Sequence, residues 1–270
     1  MKARAGVLSV ALAVFLVPLA WTVVAAFGVV PDNSTRPPSW SGSFSLEHFA
    51  DVGVAEPAFW EELATSTVAA AAAALITIAV SYPAAYALAR SRGTNGLAPV
   101  FVVLASLPAM AYVIPLSDLM RRAHLIDTFA GIVLSEAAVT APLAVYVLHG
   151  AVHQLSPEWE EAALLDGAGL WRNLMMVALP LVAPSVVATA IVVFVIDWNL
   201  LLVPLVLTSG EIKTVPVAMS DFFTFERELE WPSAAAALVI SLVPVAILVA
   251  LFHRALQRFT LETPAESSDE

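Results

Sequence analysis

Six long apolar stretches set the limits on what this chain can fold into: Gly6–Gly28, Leu63–Ala89, Leu97–Leu119, Thr128–Gly150, Leu179–Thr208 and Trp231–Phe252. A helical bilayer crossing needs roughly 20 mostly apolar residues. Backbone polar groups in hydrocarbon must be satisfied within the structure itself. The pattern therefore predicts an all-α integral membrane protein of about six transmembrane helices. Residues 1–28 are read as an N-terminal transmembrane helix, 29–62 as an external loop and 63–260 as a core bundle carrying a cytoplasmic loop at 156–178. Residues 261–270 form an acidic, Ser-containing tail expected to be disordered. Lys2 and Arg4 ahead of the first apolar run also fit a cleaved signal peptide. The run is long for a signal segment, which favours a retained helix.

Composition narrows the function. With 60% apolar and 13% charged residues, the chain cannot be a soluble globular enzyme. It has 0 cysteines, which removes disulfides, thiol nucleophiles, iron–sulfur clusters and thiolate zinc sites. A net charge of -11 argues against a nucleic-acid partner. His149 and His153 share a helix face, but no third metal ligand accompanies them. No nucleophile signature surrounds Ser135, so no catalytic, cofactor or metal site is expected.

Both termini are assigned to the cytoplasm. That orientation puts Lys2, Arg4, Arg90, Arg92, Arg172, Arg254 and Arg258 inside and Arg36, Arg121, Arg122, Lys213 and Arg227 outside. Asp118 is placed to pair with Arg121 or Arg122 near the outer surface. Prolines fall within the spans at Pro18, Pro83, Pro108, Pro115, Pro142, Pro184, Pro204 and Pro244, each a point where a helix can kink.

The loop between the fourth and fifth spans carries the strongest local signal. Ser156 is a good N-cap, Pro157 suits a first helical position, and Glu158, Glu160 and Glu161 sit where the helix dipole favours negative charge. Asp166, Gly167 and Gly169 should end that helix, and Leu170 to Ala178 should start another. Such a part apolar, part acidic helix–turn–helix is shaped to dock into a groove on a partner.

Glu161-Ala162-Ala163, Asp166-Gly167-Ala168 and Leu179-Pro180-Leu181 with Pro184 resemble the EAA loop of membrane subunits of binding-protein-dependent ATP-binding-cassette importers. Ser81 to Arg90 is similar to the S-x-x-A-x-Y-A-L-A-R end of the second span in the carbohydrate-type permeases. Trp198-Asn199, Pro204-Leu205 and Thr214-Val215-Pro216-Val217 resemble further runs of the same group. The chain looks most like the second permease subunit of maltose-type transporters. It departs from the group at Leu200-Leu201, where Glu-Phe is common, and in its C-terminal ending.

The resemblance implies a type I importer permease fold in the plasma membrane. It implies three partners: a cytoplasmic ATPase dimer that carries ATP and Mg, a second and related permease, and an extracytoplasmic solute-binding protein. Glu161, Ala162, Ala163, Asp166 and Gly167 would couple to the ATPase, and the loop at Ser209–Lys213 would face the binding protein. Lys2 and Lys213, the only lysines, lie outside any P-loop pattern, so ATP hydrolysis must be on a partner chain.

Polar residues within the spans are expected to face the bundle interior, because ionised acids in hydrocarbon are costly. Asp197, Trp198 and Asn199, with Glu136, are the candidate substrate path, offering hydroxyl acceptors and a stacking ring; helix–helix hydrogen bonding is the competing role. The expected solute is a sugar or related polyol. A polyamine or other non-sugar solute, or a proton-coupled secondary carrier using Asp197 and Glu136, are the alternatives.

Overall fold

The computed structural model describes residues 2–32, 39–41, 44–91, 93, 96–208, 212–220 and 231–261. The expected disordered tail and the tip of the 209–213 loop lie outside the described residues. Helix α1 spans Lys2–Ala26 and is followed by a short antiparallel ribbon, β1 (Val30–Asp32) with β2 (Ser39–Ser41), in the register Val30↔Ser41, Pro31↔Trp40, Asp32↔Ser39. After α2 (Glu47–Asp51), the long helix α3 runs Pro57–Arg90. Next come α4 (Ala98–Ala105), α5 (Ala109–Arg122), α6 (Phe129–Gln154), α7 (Glu158–Leu165) and α8 (Leu170–Arg172). A π-helical segment, Asn173–Ala178, leads directly into α9 (Leu179–Trp198). The chain continues through α10 (Leu202–Leu207), α11 (Val215–Ser220) and α12 (Trp231–Leu261).

Among the described residues, four helical stretches are long and apolar enough to cross a membrane: Pro57–Arg90, Phe129–Gln154, Leu170–Trp198 and Trp231–Phe252. Helices α4 and α5 are long and apolar enough only when taken together, as a bent pair, and α1 carries a further apolar stretch, Leu12–Ala26. Three expectations need correction. The third apolar run is not one straight helix but bends by 92° between α4 and α5. Pro108 is the N-cap of α5 in an extended conformation, and a residue preceding proline is disfavoured from the α region, so the helix stops before it. Pro18, Pro83, Pro115, Pro142, Pro184 and Pro244 are instead accommodated inside continuous helices. The fifth run starts earlier than Leu179, continuous with α8, and ends at Trp198; Asn199 caps it and α10 is separate. The segment read as an irregular external loop contains the ribbon and α2, and α3 begins in it at Pro57.

Two compact units are defined by the contacts. One comprises Met1–Thr65 and Thr214–Val245. Its core pairs Ala25 and Ala26 with Ala235 and Ala236, side chains small enough for the backbones of α1 and α12 to approach closely. Phe27 stacks on Phe44 with ring centroids 4.4 Å apart, and Trp60 donates its indole N–H to the Val54 carbonyl at 2.9 Å.

The other unit comprises Ser66–Lys213 and Ala246–Glu270. Here α3 and α6 pack through Ala69 and Ala73 against Ile132, Val133 and Ala137. Their hydroxyls bridge the helices: Thr77 donates to the Ala137 carbonyl at 3.3 Å and Ser81 to the Ala141 carbonyl at 3.2 Å. Interhelical hydrogen bonds of this kind are modest glue in lipid, about 0.6 kcal/mol each on average. At the entry to α6, Thr128 accepts from the Gly131 amide at 3.0 Å and donates to the Leu125 carbonyl at 2.8 Å. A Cβ on Gly131 would collide with that carbonyl. The exposed pair Asp118 and Arg122 is 2.7 Å apart, as the sequence suggested.

Candidate functional site

The segment from Leu155 to Ala178 folds as the sequence chemistry dictates. Ser156 Oγ accepts from the Glu158 amide at 3.4 Å and starts α7. At the other end Gly167 takes φ +81, the Ala168 amide donates to the Ala163 carbonyl at 2.9 Å, and the Gly167 amide donates to the Leu164 carbonyl at 3.0 Å. This pair of bonds is a Schellman cap, which needs a left-handed residue that glycine supplies without strain. The chain then turns into α8. Glu161, Ala162, Asp166 and Gly167 are exposed, and Ala163 is half-buried. Around them Trp159, Leu164, Leu170 and Trp171 are also exposed, and Leu165 is 90% exposed. Large exposed apolar side chains with acids among them have the character of a protein contact surface.

What fixes this element to the bundle was not read from the sequence. Glu160, next to exposed Glu161 on α7, is buried. Its Oε2 accepts from the Tyr86 hydroxyl at 2.7 Å, and its Oε1 accepts from Arg90 Nε at 2.9 Å and Nη2 at 2.6 Å. Arg90 Nη2 also donates to the Leu155 carbonyl at 3.1 Å, between α6 and α7. One turn further back on α3, the Tyr82 hydroxyl donates to the Leu174 carbonyl of the π-helical segment at 2.8 Å. Tyr82, Tyr86 and Arg90 recur every four residues and so lie along one face of α3. Beneath them Tyr82, Tyr86, Val145, Leu148, Val152, Leu174 and Val182 form one apolar core. The only sequence signal for this arrangement was the Ser81 to Arg90 motif, whose partners are far along the chain.

A groove of about 530 Å³ runs between α6 and α9. It starts near Gln154 and Leu181, at the α7 end, and extends to Val192 and Val193; Gln154, Ser185 and Thr189 supply its polar side chains. Asp197 and Glu136 do not line it. They lie beyond its far end on the same two helices, each 2% exposed, close enough for their carboxyls to interact. Both Asp197 carboxyl oxygens, Glu136 Oε2 and Ser135 Oγ have no hydrogen-bond partner. Thr140 neighbours Asp197, but its hydroxyl donates to the Glu136 carbonyl at 3.1 Å and meets the Thr77 hydroxyl at 3.1 Å. Trp198 is buried and stacks on Phe194, with centroids 6.2 Å apart. Asn199 is exposed, and its amide donates to the Val195 carbonyl at 2.7 Å, closing the last turn of α9.

A bundle of apolar helices, a groove between two of them and an exposed helix–turn–helix at the groove's mouth define a membrane transport subunit. The chain belongs to the family of binding-protein-dependent transport system inner membrane components, which it matches over residues 77–261. It is a multi-pass membrane protein of that transport machinery rather than an enzyme in its own right. It is 31% identical over 244 residues to the trehalose/maltose transport system permease protein MalG of Thermococcus litoralis, covering 88% of this chain and 87% of the relative. With the trehalose transport system permease protein SugB of Mycobacterium tuberculosis it shares 34% identity over 185 residues, 67% of each chain. Its fold matches, at TM-score 0.73 and 19% identity, a chain of a bacterial ABC transporter involved in the import of the acidic polysaccharide alginate, covering 93% of this chain and 94% of that one.

Proposed function

We propose that this chain is one permease subunit of an ATP-driven importer for a sugar or related solute. It contributes half of the translocation path and is driven through α7 and α8 by a cytoplasmic ATPase that binds ATP and Mg. The observation that carries this reading is the exposed surface of α7 around Glu161 and Gly167, on a helix held to the bundle by buried Glu160. Glu161 meets a basic residue of the ATPase, and Gly167, at φ +81, makes the turn that lets the helix pack closely. Asp166 sits at the turn. Both termini and α7 lie in the cytoplasm.

The groove between α6 and α9 is this subunit's share of the path, and a second, related permease closes its open side. Glu136 and Asp197, with Trp198 and Asn199 beside them, stand at the far end of the path, where solute arrives from an extracytoplasmic binding protein. A sugar is favoured because relatives of this similarity are named for trehalose and maltose transport.

The test is purification of a tagged chain in mild detergent with mass spectrometry of what accompanies it, joined to uptake of labelled trehalose and maltose by cells that express the complete system. The expected result is co-recovery of a P-loop ATPase and a second permease, with vanadate-sensitive uptake. Glu161→Lys and Gly167→Asp should each abolish uptake while the chain still reaches the membrane; retained uptake in both would sink the coupling role. The unpartnered oxygens of Asp197 and Glu136 favour one competing reading, a proton-coupled carrier. Uptake that resists vanadate and collapses with an uncoupler would establish it instead.

A further inference from the structure

The grip of α3 on the α7–α8 element has a mechanical meaning that goes beyond docking, and it rests on the importer reading above. By chain connectivity alone, a movement of α7 reaches two helices. It reaches α6 through the short link 155–157, and α9 through α8 and the π-helical segment. Helix α3 has no covalent route to α7 that is shorter than 60 residues of intervening chain.

The side chains create one. Arg90 holds both Glu160 and the Leu155 carbonyl, Tyr86 holds the second Glu160 oxygen, and Tyr82 holds Leu174. Three residues on one stripe of α3 thus reach the start, the middle and the far arm of the element. The charge pair is shielded, with Glu160 and Arg90 side chains 8% and 21% exposed, so water competes weakly for it. Leu174, gripped by Tyr82, belongs to the π-helical segment, a wide turn of the kind found at functional bends.

We propose that Tyr82, Tyr86 and Arg90 make α3 a second output of the coupling element, with Glu160 as the positioning residue that locks α7 to it. When the ATPase displaces α7, the end of α3 moves with it as one body, and the π-helical segment between α8 and α9 absorbs the difference. Glu160 itself does not touch the ATPase; it converts the movement of a docked helix into movement of the bundle.

The experiment compares wild type with Glu160→Gln, which keeps the shape and removes the charge, in the assembled complex in proteoliposomes. The readouts are the amount of ATPase recovered, the rate of ATP hydrolysis and the solute moved per ATP. The expected result is unchanged ATPase recovery and continued hydrolysis, with solute moved per ATP falling about ten-fold, equivalent to ~1.4 kcal/mol of lost coupling. Tyr86→Phe should show a smaller fall in the same ratio. The reversed pair Arg90→Glu with Glu160→Arg should recover part of it, which a simple loss of folding would not.

Because the chain has 0 cysteines, spin labels can also be placed cleanly at Ala87→Cys and Glu158→Cys. Their separation should be the same with and without ATP in wild type and should spread into two populations in Glu160→Gln. An unchanged solute-to-ATP ratio in a fully assembled Glu160→Gln complex overturns the proposal, as does a wild-type label distance that shifts on ATP binding. A wild-type chain that recovers no ATPase overturns the importer reading itself, and this proposal with it.

Discussion

Glu160 on one hand and Glu136 with Asp197 on the other are buried alike, at 6%, 2% and 2% exposure, and are treated in opposite ways. Glu160 receives three hydrogen bonds from an arginine and a tyrosine. Asp197 receives none at either oxygen, and Glu136 lacks one at Oε2. A paired acid fastens two elements together. An unpaired acid in a membrane bundle is retained at the expense of stability. The acid on α7 is therefore fastened by its hydrogen bonds, and the two acids beyond the groove are not held in that way.

The contrast can be broken at four points, in falling order of effect on unfolding of the detergent-purified chain. Glu160→Ala strands the Arg90 charge in a shielded site and should lower stability by about 3–5 kcal/mol; a thermal midpoint within error of wild type would remove the clamp from the account. Tyr86→Phe leaves Glu160 one donor short and should cost about 1.5–3 kcal/mol, the range for hydrogen bonds to charged groups. Gly167→Ala forces an alanine into the left-handed region and should cost about 1–2 kcal/mol; a larger loss would mean the turn is packed rather than open. Asp197→Asn should sharpen the comparison with the opposite sign. With no hydrogen bond at either carboxyl oxygen to lose, and a like-charged neighbour in Glu136, the unfolding midpoint should hold or rise by the equivalent of under about 1 kcal/mol, while labelled-sugar uptake falls. A destabilised Asp197→Asn would show that this acid too is a fastening.

Much of this was legible in the sequence, for local reasons. Apolar run length is a direct consequence of bilayer thickness, so the runs at Thr128–Gly150 and Trp231–Phe252 were placed within a few residues, whereas the fifth run was set too far along the chain. The boundaries of α7 follow from Ser156, Pro157 and Gly167, residues whose capping chemistry acts over three or four positions. The 92° break was not legible, because Pro108 is one of eleven prolines in the apolar runs and packing decides which of them a helix tolerates. The role of Glu160 was hidden for the converse reason. Its helix-terminal position already accounted for its charge, and its true partners, Tyr86 and Arg90, come from a different helix. Among the three acids of the first turn of α7, Glu161 lies exposed, while its neighbour Glu160 is the one that faces the protein.

Helix α3 has 34 residues, which at 1.5 Å per residue makes a rod about 51 Å long, against a hydrocarbon layer of about 30 Å. About 20 Å of it must then lie in the headgroup layers or in water, or the rod must tilt steeply. Arg90 is its last residue, so the clamp is fastened at one end of the rod. Tyr82, Tyr86 and Arg90 all lie within its last nine residues, so the hydrogen bonds to α7 and the π-helical segment act on that one end of a rod longer than the hydrocarbon is thick.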